Sequence, residues 1–114
     1  MYATVHYHRS QAVEVASAIV AGGIRPLLGA RMLLGHLRHL GPDVAPDIVR
    51  FLAGLDSESD HLPLGEERKF WAETALKEKD QVAGFYEQRV GPRIIDAAKR
   101  LLTQLPGPPN PSLR

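Results

Sequence analysis

Asp56, Glu58, Asp60 and His61 fall within one short stretch, "GLDSESDHLPLGEERKFW", and Glu67 follows on the far side of Pro63 and Gly65. Alternating carboxylates beside an imidazole admit several chemistries. The first is calcium binding. Asp56, Glu58, Asp60 and Glu67 occupy the first, third, fifth and twelfth positions of a calcium loop, which supplies oxygen ligands at those places. Against it, His61 stands where such a loop needs glycine, and Pro63 interrupts the loop backbone. The second is a transition-metal or acid–base site, with His61 joined to Asp56 or Asp60. Zinc and iron normally take three or more protein ligands, and the cluster holds a single histidine. The remaining histidines are His6, His8, His36 and His39. The third reading is structural: Asp56, Ser57, Ser59 and Asp60 hydrogen-bond nearby backbone in turns and caps. The fourth is recognition, in which carboxylates beside Phe70 and Trp71 offer charge with an aromatic anchor.

The elements that must hold these residues are helices. "SQAVEVASAIVAGG" predicts a helix from about Gln11 to Ala21, capped by Ser10 and stopped by Gly22 and Gly23. Pro26 opens a second helix that runs to about Leu40, with Leu27, Leu28, Met32, Leu33, Leu34 and Leu37 on a broad apolar stripe. A short third helix spans about Asp47 to Ala53. The acidic stretch follows as a loop. Glu66 and Glu67 then begin a fourth helix, where carboxylates favour the positive end, and Trp71, Ala75, Val82 and Phe85 form its inward face. "VGPR" at 90–93 ends or kinks that helix, and a fifth runs from about Pro92 to Leu105. The alternative merges the last two into one long kinked rod. This pattern predicts an all-α, single-domain bundle of about five helices with short loops over 1–105. A disordered Pro-rich tail follows over 106–114.

Composition narrows the classes further. The chain has 114 residues, 44% hydrophobic and 24% charged, which suits one folded domain rather than a disordered chain. A net charge of +1 gives no field for nucleic acid or an anionic membrane. The absence of cysteine removes disulfides, thiolate ligands and a cysteine nucleophile, and fits a cytoplasmic protein. No stretch reads as a signal peptide or a membrane span. Phosphate-binding, dinucleotide-binding and nucleophile-elbow motifs are missing. The charge is uneven: residues 56–80 hold eight acidic and four basic groups. That bias points to a partner with a basic surface. It points equally to the chain's own Arg31, one cation on a leucine-rich helix, as the group that pins the acidic loop. The small residues of "AVEVASAIVAGG" suit close helix contact and predict a homodimer if one core cannot cover them.

"GARMLLGHLRHLG" at 29–41, the stretch 54–71 and "ALKEKD" at 75–80 together resemble a small family of uncharacterised bacterial proteins. Its motif is close to Asp-Ser-Glu-Thr-Asp-His-Leu-Pro, then Gly and a later Trp, matched here by Asp56 to Pro63, Gly65 and Trp71. Ser59 stands in the threonine position, and Leu28 replaces an acidic residue before Gly29. The resemblance implies no activity. The sequence as a whole predicts a protein-binding or accessory module, without cofactor and without a metal. Arg31, Asp56, Glu58, Asp60, His61, Glu67, Phe70 and Trp71 are its binding or anchoring residues. The alternative is a metal-dependent enzyme or metal-binding protein built on the Asp56–His61 cluster.

Overall fold

The computed structural model describes residues 2–105, and every regular element in that range is helical. The expected disordered tail at 106–114 lies outside the described residues. Four α-helices form the bundle where about five were expected: α1 Tyr2–Ala21, α2 Pro26–Leu37, α3 Pro46–Ser59 and α4 Glu73–Gln104. A 3-10 turn, Glu66–Phe70, sits between α3 and α4.

α1 begins well before Ser10, because nothing in "YATVHYHRS" breaks a helix. Its end matches the sequence. Gly22 takes φ +79, and the Gly22 and Gly23 amides donate back to the Ile19 and Ala18 carbonyls at 3.2 and 2.8 Å. That is a Schellman closure, which a glycine makes without strain. α2 starts at Pro26 as expected but stops at Leu37. His39 and Leu40 tighten into i→i+3 bonds to His36 and Leu37, and Gly41 at φ +103 turns the chain.

The largest departure is α3. It was expected to end near Ala53, leaving the acids in a loop, but it continues to Ser59. Ile48, Leu52, Leu55 and Ser59 are buried along one side, so the apolar stripe carries the helix through Gly54 and into the acidic motif. α4 likewise runs unbroken through Gly91 and Pro92, which realises the single-rod alternative rather than a fifth helix. Pro92 removes one i→i−4 bond. Val90, Ile94, Ala97, Ala98 and Leu101 keep one buried face across it, while Pro92 itself stays exposed.

Trp71 was expected on that buried face and is not. It is 37% exposed, Val82 50% and Phe85 75%. The chain is extended at Trp71, with φ −103 and ψ 143, so α4 takes its register from Glu73 onward. The face set by Ala83, Val90 and Ile94 leaves Val82 and Phe85 outward.

The helices alternate in direction. His8 meets His36 and Ile19 meets Gly29, so α1 and α2 are antiparallel. Arg31 reaches Ser59, while Leu37 and Pro46 line one groove, which makes α2 and α3 antiparallel. Glu58 bonds Tyr86 and Phe51 faces Arg93, which makes α3 and α4 antiparallel. The core gathers Ala16 and Ile19, Leu27, Leu33 and Leu34, Ile48 and Leu52, and Ile94 and Leu101, closed at one end by Leu62 and Leu64. Ala12 and Ala16 of the small-residue face of α1 are fully buried inside it. Among the described residues no helix is long and apolar enough to cross a membrane.

Candidate functional site

The acidic motif occupies the last two turns of α3, the connector 60–65 and the 3-10 turn. Asp56 and Glu58 lie two residues apart on a helix, about 200° around its axis, and so face different neighbours. Asp56 turns to α2, where its Oδ1 is 3.5 Å from Arg31 Nε. Glu58 turns to α4, where its Oε2 accepts from the Tyr86 hydroxyl at 2.8 Å. Burial, and then that hydrogen bond, push the Tyr86 phenol up to about 12. Ser59 is buried and donates from Oγ to the Leu55 carbonyl at 2.7 Å, satisfying itself within the helix.

Arg31 binds the end of α3. Its Nη2 donates to the Ser59 carbonyl at 2.7 Å and its Nη1 to the Leu62 carbonyl at 3.3 Å. The first belongs to the last residue of α3, whose carbonyl has no intrahelical partner and also accepts from the Leu62 amide at 3.0 Å; the second lies in the connector after it. The same Nη1 lies 3.0 Å from Glu67 Oε1. Glu67 in turn accepts from the Leu64 amide at 3.1 Å. Its own backbone amide first, then those of Leu64 and Gly65, and the Arg31 charge hold the Glu67 carboxyl below the usual carboxylate range. A second arginine completes the clamp. Arg68 donates to the Pro63 carbonyl at 3.0 Å and grips Asp80 of α4 through two bonds at 2.7 and 3.0 Å. That fork holds the Asp80 carboxyl low and the Arg68 guanidinium high.

The structure therefore brings Arg31, Asp56 and Glu67 together and sends Glu58 elsewhere. Asp60 caps α3 and is exposed, as is His61. Asp56, Glu58, Asp60 and His61 do not converge on one point, and Asp56 and Glu58, the first two acids of the calcium-loop alternative, are helical. Among the described residues no group of three or more His, Asp or Glu is arranged to hold a metal ion. Leu62, Pro63 and Leu64 are buried, so the middle of the motif is an anchor. Phe70 and Trp71 follow it on the surface. Phe70 is 81% exposed, with Lys69 Nζ 5.4 Å from its ring centre. Beside them lies an open groove of about 650 Å³, lined by Arg68, Glu73, Leu76, Lys77 and Asp80 among others.

Three features escaped the sequence reading. Glu87 accepts from the Leu27 amide at 2.7 Å and pairs with Arg25 at 3.2 Å, capping α2 from a distant helix. A groove of about 460 Å³ between α3 and α4 is lined by Phe51, Arg93, Asp96 and Arg100, residues far apart in the chain. At the other end of the bundle, His8 Nδ1 and His36 Nδ1 are 2.9 Å apart, and His39 stacks on His8 with ring centres 3.9 Å apart. His6 and His8 are both helical, two residues apart on α1. His36 and His39 stand three residues apart in sequence, but His8 joins them only through the fold.

No protein-family model, no curated protein and no solved structure matches the chain.

Proposed function

We propose that the chain is a small protein-binding module that meets its partner through the Phe70–Trp71 edge. The observation that carries this reading is a pair of exposed adjacent aromatics on a segment tied down just before and after it. Arg31 holds Glu67, and Arg68 holds Asp80. An exposed phenyl ring forgoes roughly 2 kcal/mol of transfer free energy, and a fixed backbone loses little further entropy on binding. Aromatic anchors of this kind dominate interface energies. The acidic motif supports the edge rather than forming the contact, because Asp56, Glu58, Glu67 and Asp80 are engaged within the chain. Asp60, Glu66 and Glu73 remain exposed around it. The fitting partner is a protein with an apolar pocket and a basic rim. A cytoplasmic setting and kinship with the bacterial family belong to the same proposal and rest on the sequence alone.

Affinity capture from cells that make the protein, read by quantitative mass spectrometry, tests the reading. A partner held by the wild type and by Asp60→Ala/His61→Ala should fall at least about tenfold with Phe70→Ala/Trp71→Ala. Equal capture by all three proteins would overturn it.

A further inference from the structure

α4 carries an outward stripe that its own chain leaves open. Glu78, Val82, Phe85 and Arg89, all exposed, recur at alternating spacings of four and three residues. That is the seam spacing of a coiled coil. Val82 and Phe85 are exposed large apolar side chains near the middle of it, and Glu78 and Arg89 are exposed on either side. The core-facing side of the same helix has no buried residue before Ala83, so the first turns of α4 lie along the bundle rather than inside it. Arg89 extends along the helix surface, with its guanidinium carbon 5.4 Å from the Tyr86 ring centre.

The order of these residues selects one partner. A two-fold axis set between Ala83 and Gly84 brings Val82 opposite Phe85 of a second copy. It brings Glu78 opposite Arg89 as well. An antiparallel pair thus buries all four apolar side chains at its centre and closes both flanks with opposite charges. A parallel pair would stack Glu78 on Glu78 and Arg89 on Arg89, which is repulsive. The outer face of α4 points away from the rest of the bundle, so the two bodies lie on opposite sides of the contact.

We propose that two copies of this chain pair antiparallel along the outward face of α4, with Val82 against Phe85 and Glu78 against Arg89. Such a contact is small and belongs with weak, reversible interfaces of micromolar affinity. Its surface is separate from the Phe70–Trp71 edge, so either can fail alone.

Sedimentation velocity over a concentration series tests the pairing, with circular dichroism confirming that each variant is folded. The wild type should shift from monomer toward dimer as concentration rises, and less so at high salt. Phe85→Asp should weaken association by more than about tenfold. Glu78→Arg and Arg89→Glu should each weaken it, and the double reversal should restore it, because exchanging the charges recreates the pair. A monomer up to millimolar concentration would overturn the proposal. So would a dimer indifferent to the single reversals, or one that the double reversal fails to recover. Phe70→Ala/Trp71→Ala should leave the association unchanged, and a loss there would assign the contact to the other surface.

Discussion

The Arg31 guanidinium reaches two carboxylates and two main-chain carbonyls at once. Its planar fork can serve all four, and a lysine ammonium in the same place could not. Truncation would remove one acceptor bond from the Ser59 carbonyl, which keeps the Leu62 amide at 3.0 Å, take the Arg31 donor from the Leu62 carbonyl, and release Glu67. Asp56 and Glu67 are partly solvated, so screening lowers the effect. Arg31→Ala should cost about 1–2 kcal/mol in equilibrium urea unfolding, with Arg31→Lys recovering less than half. A loss under about 0.5 kcal/mol would mean the clamp is dispensable. The Arg31 contact was legible beforehand, because a lone cation on a leucine-rich helix needs a reason and an acidic run supplies one. The direction of Glu58 was not, since it follows from α3 remaining helical where carboxylates and serines at alternate positions suggested a loop. Trp71 was misplaced for a related reason. Its spacing to Ala75 and Phe85 fits a helix, but the chain is extended at Trp71, and the spacing carries no meaning across that break.

Two devices fix the α1–α2 hairpin. Near one end Gly29 lets the helices close on each other. A methyl group there would lie 2.5 Å from Ile19 Cγ1 and 2.8 Å from its Cδ1. Ile19 is itself buried in the core and has nowhere to retreat. Gly29→Ala should therefore destabilise by about 1–3 kcal/mol despite the better helix propensity of alanine, measured as a fall in the urea midpoint with an unchanged slope. Near the other end stand the histidines. Burial first, then the neighbouring imidazoles, lower the pKa of His36 below 6.5. Burial and His39 lower that of His8. The folded state then binds fewer protons than the unfolded chain. Their contribution is complete above the unfolded value and is lost as pH falls through it toward the folded values. Thermal unfolding between about pH 7.5 and pH 5 should show stability dropping with acid, and His8→Gln/His36→Gln should flatten that slope. An unchanged slope in the double variant would show that the acid sensitivity arises elsewhere. At this scale the boundaries at Gly22 and Pro26 were readable, because each has a local cause. The union of the last two helices across Pro92 was not, because the buried face that overrides the proline is supplied by other helices.

The molecule measures 53 × 28 × 25 Å, and α4, about 48 Å long at 1.5 Å per residue, accounts for its long axis. A four-helix fold of this kind buries its leucines efficiently and leaves Phe85 on α4, the Phe70–Trp71 edge before it and Tyr7 on α1 exposed. With a net charge of +1 the field of the whole molecule does little to choose a partner, so the proposed recognition rests on local shape and on the Phe70–Trp71 rings. That the chain is all-helical was legible from periodicity alone. That Arg68 and Tyr86 join Arg31 in engaging the acids required the fold, because they come from the 3-10 turn and from α4. The most direct measurement is photo-crosslinking in the native cell, with benzoyl-phenylalanine placed at Phe70 and, as a control, at the exposed Ser17 of α1. The protein-binding account predicts one dominant adduct from position 70, absent from position 17 and much reduced when Trp71→Ala is added. The same adducts from both positions, or none from position 70, would contradict it.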